Sequence, residues 1–240
     1  MRRILALVAI ALGSSACSSQ FGHREFEDDA WKAQSQWRGR ESIELSEFDR
    51  LVPAKGVKDR DFKQWVKQQG VGEPAILWRE RRPDDLFVSD TGTAIPVTRV
   101  RGEGPPVISD VLDDDSAVIA GERQPLATNL TAPLAYMSDQ GDVKLPVIDA
   151  MIHNDKYGEQ TGLYRFEPVD PERIPVLLIH GLKSSPTIWK TMVNQMRADP
   201  RVRENFQFWS FSYPTGLPVL FSAMRLREEI VRMQETYNPG

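Results

Sequence analysis

Cysteine is almost missing from this chain. The 240 residues hold one, Cys17, which excludes an intrachain disulfide. Histidine is scarce: His23, His153 and His180 are the only three, so chemistry that needs an imidazole has few places to find it. A basic excess is missing too. Thirty Lys and Arg stand against 34 Asp and Glu, a net charge of −4. No basic tract follows that could track a phosphate backbone, and nucleic acid is not an expected partner. There is no internal repeat and no long low-complexity segment. Beyond the N-terminus no apolar run is long enough to cross a bilayer. What is present, 40% hydrophobic and 27% charged residues, suits a globular body able to build a core.

The N-terminus reads as an address rather than a fold element. Met1-Arg2-Arg3 is positive, Ile4 to Leu12 is apolar, and Gly13-Ser14-Ser15-Ala16 is a small-residue exit before Cys17. This is the layout of a bacterial export signal, too short for a membrane span. The setting of Cys17 resembles a lipobox, in which the thiol is lipidated and becomes the first mature residue. That resemblance implies a cell-envelope protein tethered to a membrane. Ser14 stands where lipoboxes favour Leu, which leaves open ordinary cleavage at the same bond and a free thiol. "SSQFGHREFEDD" then reads as a tether, with His23 a solvated residue of it.

Four segments follow from composition: an export signal over 1–16, a tether and polar region over 17–70, a β-rich region over 71–160, and the start of an α/β domain over 161–240. In the polar region "DFKQWVKQQG" (61–70) predicts a short helix closed by Gly70, with Phe62, Trp65 and Val66 on one face. Next come "PAILW", "IPVTRV", "PVISDVL" and "SAVIAG", β-branched runs broken by Pro, Gly and Asp, which read as strands. Asp113-Asp114-Asp115 reads as a hairpin turn between the last two runs. Adjacent carboxylates lack the alternate ligand spacing of a calcium loop, so no metal is expected. "NLTAPLAYM" (129–137) predicts a helix from near Thr131, and His153 falls near the end of another short helix.

From Gly162 the pattern sharpens. "GLYRFEPVDP" gives a short strand. "IPVLLIHG" is apolar without alternation, as a parallel strand covered on both faces would be. Ser185-Pro186 sets a helix start, Ser as N-cap and Pro at the first position. Ile188, Met192 and Met196 make a stripe on that helix, with Trp189 and Val193 beside it. "FQFWSFSY" is an aromatic strand and "YPTG" a turn. Val219, Ala223, Leu226, Ile230, Met233 and Tyr237 then recur at helical spacing, one face of a long amphipathic helix. Strand, helix, strand, helix is the rhythm of a parallel sheet.

"PVLLIHGLKSSPTIW" resembles the third strand and following loop of the α/β-hydrolase fold. Together with "TAPLAYM", "GEQTGLYRFEPVDPERIPVLLIHG" and the segment through "YPTG", it is similar to bacterial exported lipase- or esterase-like members of that superfamily. The likeness extends over residues 70 to 240, strongest at its C-terminal end. It implies an incomplete α/β-hydrolase fold after a β-rich region. It also implies a serine ester hydrolase acting on an ester or acyl substrate through an acyl-enzyme, with no cofactor. By the same resemblance the Leu182 backbone N–H donates to the oxyanion, Gly181 lets the chain turn, and His180 orients the loop without acting as base. The chemistry needs such a donor because attack turns the ester carbonyl oxygen into an alkoxide.

The sequence departs from that pattern where the nucleophile belongs. No Gly-x-Ser-x-Gly occurs, and no His follows His180, whereas the superfamily orders its triad Ser, acid, His. Ser184, Ser185, Ser210, Ser212 and Ser222 read as loop, cap, strand and helix residues. A hydroxyl without a positioned base is not activated at neutral pH. The expectation is therefore the N-terminal part of an acyl hydrolase, inactive as it stands, in which Pro175 to Ile179 forms a sheet edge. The alternative is a non-catalytic envelope lipoprotein that uses the scaffold for binding.

Overall fold

A computed structural model describes residues 7–10, 43–83, 85–88, 91–101, 107–119, 122–140, 161–182 and 184–237. Cys17, His23, His153 and the Asn238-Pro239-Gly240 stop lie outside them, with the expectations attached to each. The strands run β1 (Leu7–Ile10), β2 (Asp49–Pro53), β3 (Lys67–Gln68), β4 (Glu73–Glu80), β5 (Gly92–Val100) and β6 (Val107–Asp110). Then come β7 (Ser116–Ile119), β8 (Glu122–Pro125), β9 (Thr128–Asn129), β10 (Gly162–Arg165), β11 (Ile174–Ile179) and β12 (Phe206–Ser212). The helices are α1 (Thr131–Gln140), α2 (Lys190–Ala198), α3 (Pro200–Asn205) and α4 (Val219–Tyr237).

Three of the β-branched runs, in β4, β5 and β6, pair antiparallel with one another and with β2 from the preceding polar region, in the order β2-β4-β5-β6. Leu77, Ile95, Val97 and Ile108 pack on one face of this sheet, and Ile76, Trp78 and Ala94 on the other, beside Ala132 of α1. Burial on both faces is why β4 and β5 carry continuous apolar runs rather than alternation. Two small antiparallel pairs, β3-β9 and β7-β8, join it to the rest.

The segment 61–70 is not helical. Lys67 and Gln68 pair with Asn129 and Thr128, and the Val66 N–H is donated to the Thr131 hydroxyl at 2.8 Å. Gly70 lies so close to the Pro125 carbonyl oxygen that a Cβ there would overlap it. The three Asp residues do sit after a turn, in which the Asp113 and Asp114 N–H groups donate to the Asp110 carbonyl. It is no hairpin turn, since β6 pairs with β5 and β7 with β8.

The second sheet has the order β1-β11-β12-β10. Strands β1, β11 and β12 run parallel, and β10 runs antiparallel to β12. Side chains of β11 alternate between two cores. Val176 and Leu178 meet Phe208, Trp189 and Val193 on one face. Leu177 meets Leu163, Trp209 and Phe211 on the other, where Leu226, Ile230, Met233 and Tyr237 of α4 cover them. The described residues form a mixed α/β fold of small, mostly antiparallel sheets with four α-helices. The extended parallel sheet expected from the resemblance is not present among the described residues; the parallel part is three strands wide.

Two expected helix faces hold in part. On α2, Met192 and Met196 pack with buried Val193 against the core that holds Val176 and Phe208, as does Trp189 of the preceding 3-10 turn, Pro186–Trp189, whereas Ile188 of that turn is exposed. On α4 the docked face begins at Leu226; Val219 and Ala223 are exposed.

Candidate functional site

The His180-Gly181-Leu182 turn stands at the C-terminal end of β11, where the parallel strands open toward solvent. His180 is buried, and its ring is held from two sides. It stacks on Tyr213, ring centroids 4.4 Å apart and 16° from parallel, and Tyr213 in turn stacks on Phe211. The Tyr213 N–H approaches Nε2 at 3.4 Å, and Nδ1 lies 3.2 Å from the Gly181 carbonyl oxygen. An Nε2 that accepts and an Nδ1 that donates define the neutral Nδ1–H tautomer, assigned from this network. Burial holds the ring pKa below the ordinary histidine range, opposed by the bond to Gly181. The Tyr213 hydroxyl donates to the His180 carbonyl at 2.7 Å. Burial raises the pKa of that phenol, which keeps it the donor.

Among the described residues His180 is bonded to Gly181 and Tyr213 and to no serine. The Ser185 hydroxyl pairs with Thr187 at 2.7 Å and caps no backbone N–H, although Ser185 does hold the N-cap position before Pro186. The Ser210 and Ser222 hydroxyls are buried without a partner among the described residues, one within β12 and one on α4.

Past the histidine the turn is open. Leu182 exposes 68% of its surface, and its backbone N–H meets no acceptor among the described residues. On α4, Val219, Leu220, Phe221 and Met224 are also exposed. Tyr213 is the residue sequence reasoning missed. It was legible as part of a turn, but its anchoring of a loop 33 positions earlier has no local signal. Among the described residues no group of three or more metal-ligating side chains is brought together, and Asp113 is held by Arg173 at 2.7 Å. No helix among them is long and apolar enough to cross a membrane.

No protein family, curated protein or solved structure matches the chain.

Proposed function

We propose that the chain carries the oxyanion-loop portion of an exported α/β-hydrolase-like scaffold, whose complete form hydrolyses ester or acyl substrates. The observation that carries this reading is the locked His180 turn with the Leu182 N–H at its tip, which meets no acceptor among the described residues. When a nucleophile adds to an ester carbonyl, the π electrons move onto oxygen. A rigid N–H at that point stabilises the charge, a contribution of about 3–4 kcal/mol in known cases. The expected sheet edge at Pro175 to Ile179 is not seen, because β11 lies between β12 and β1 and β1 runs parallel to it on the side where the resemblance puts the strand leading to the nucleophile. Attachment through a lipidated Cys17 belongs to the same reading, and the mass of the mature N-terminal peptide tests it.

Incubated with a fluorophosphonate probe and an activated short-chain ester, the chain shows neither serine labelling nor turnover. Stoichiometric labelling abolished by denaturation overturns the missing nucleophile. The hydrolase reading fails if an uncleavable phosphonate analogue of the ester does not bind the chain, or binds Leu182→Pro, which lacks the backbone N–H, as tightly as the parent. The scaffold is then a binding lipoprotein, a reading favoured by the cationic groove described next.

A further inference from the structure

A groove of about 1560 Å³ lies between the 54–69 segment, the β7-β8 hairpin and β9. It is far from neutral in a chain whose overall charge is negative. Lys55, Lys58, Arg60, Lys67 and Arg123 line it, against the carboxylates of Asp59 and Asp115. Asp59 is already engaged by Lys190, at 3.0 Å. Lys55, Lys58 and Arg60 are exposed and make no ion pair among the described residues. Unpaired cations gathered in a concavity raise the local concentration of an anion there.

Charge is not the groove's only character. Trp65 lines the wall, its indole braced edge-on by Phe62 at 6.4 Å between centroids, with the Lys67 ammonium over one face, 5.2 Å from the ring centroid. The remaining lining includes Gln69, Ser116 and Thr128, neutral side chains that both donate and accept hydrogen bonds. The volume exceeds the range of about 300–1,000 Å³ usual for a small-molecule pocket, so an elongated ligand fits better than a single ion. A single indole is a poor platform for successive bases of a nucleic acid, which stack on several aromatics. Among the described residues none of the exposed large apolar side chains lines the groove, so none there serves as a wedge to insert into lipid.

We infer that this groove binds an acidic glycan, its carboxylates or phosphates paired to Lys55, Lys58 and Arg60 and a sugar ring laid on Trp65. Cations match the acid groups, the flat indole matches the apolar C–H face of a pyranose, and the amide and hydroxyls match sugar hydroxyls. The site is separate from the His180 turn and does not depend on the hydrolase reading.

Isothermal titration of the full chain with oligogalacturonate tests the inference. Its neutral methyl ester, polyphosphate, and phosphatidylglycerol vesicles serve as the other arms. The acid oligomer binds and the ester does not, and binding weakens as salt screens the charges. The combined Lys55→Gln, Lys58→Gln and Arg60→Gln variant binds about ten-fold more weakly or worse, with an unchanged melting curve because those side chains support no packing. Trp65→Leu binds about five-fold more weakly; because Trp65 also braces the core, its folding is checked by the same melt. The inference is overturned if the oligomer does not bind, or if the triple variant binds as tightly as the parent. It is equally overturned if polyphosphate or vesicles bind as well as the glycan with Trp65 indifferent.

Discussion

Asp110 shows how a single carboxyl comes to bear on the fold. It ends β6 in a turn where its Oδ1 accepts the Leu112 N–H at 2.9 Å. Burial, reinforced by the nearby Asp113 charge, pushes its pKa up to about 7, against the Leu112 bond and the Arg173 charge that favour ionisation. A carboxyl raised in the folded state binds a proton there that the unfolded chain has already lost. Its contribution is fully present below the unfolded value near 4 and is lost as pH rises through about 7. Asp110→Asn keeps the acceptor and removes the charge. It should raise stability at pH 8 by on the order of 2 kcal/mol and flatten the pH dependence between the two values. Urea unfolding at pH 4, 6 and 8 measures this, and an unchanged slope would refute it. The three neighbouring Asp residues were legible as a turn. The role of Asp110 was not, because its environment comes from Arg173 and Glu167, far away in sequence.

At the scale of elements, α4 is docked along part of its length. Leu226, Ile230, Met233 and Tyr237 cover Trp209 and Phe211, while Val219, Leu220, Phe221 and Met224 face solvent. Ile230→Ala should cost about 1–2 kcal/mol, below the range for full core truncations because the residue is half-buried. Leu220→Gln should stay within about 0.5 kcal/mol. Chemical denaturation of both variants checks the contrast, and equal losses would mean that the first turns are covered in solution. The long helix was readable because its period repeats over many positions. Strand β11 was readable because a parallel strand covered on both faces carries an unbroken apolar run. The segment 61–70 was misread for the opposite reason. Phe62, Trp65 and Val66 fall at helical spacing, yet partners far along the chain hold them extended, the Thr131 hydroxyl taking the Val66 N–H. Long-range partners override a short local pattern. The candidate site divides the same way: the His-Gly turn was visible, and its anchor Tyr213 was not.

For the molecule as a whole, the buried pair Glu167–Arg197 joins three elements. Glu167 follows β10, accepts the Phe208 N–H of β12 at 3.0 Å, and meets Arg197 of α2 at 3.0 Å. Both side chains are almost fully enclosed, at 4% and 2% exposure. Removing one charge strands the other in a medium that solvates it poorly, a cost of about 3–5 kcal/mol. Glu167→Gln should therefore destabilise the protein by roughly that amount, while Glu167→Gln combined with Arg197→Met recovers part of it. A thermal melt that places the double variant below the single one would show that the pair itself, rather than the stranded charge, carries the energy.

Strand β1 also sets a timetable. Leu7 pairs with Val176 and Ile10 with Ile179, so β1 waits through 169 residues of synthesis (176 − 7) for its partner strand. At roughly 5–20 residues per second, the nascent N-terminus spends on the order of ten seconds or more before its partner strand exists. Contacts so distant in sequence also form late once the chain is complete. Throughout that interval the four residues of β1 have no strand to pair with, and whatever else binds a nascent N-terminus meets them first.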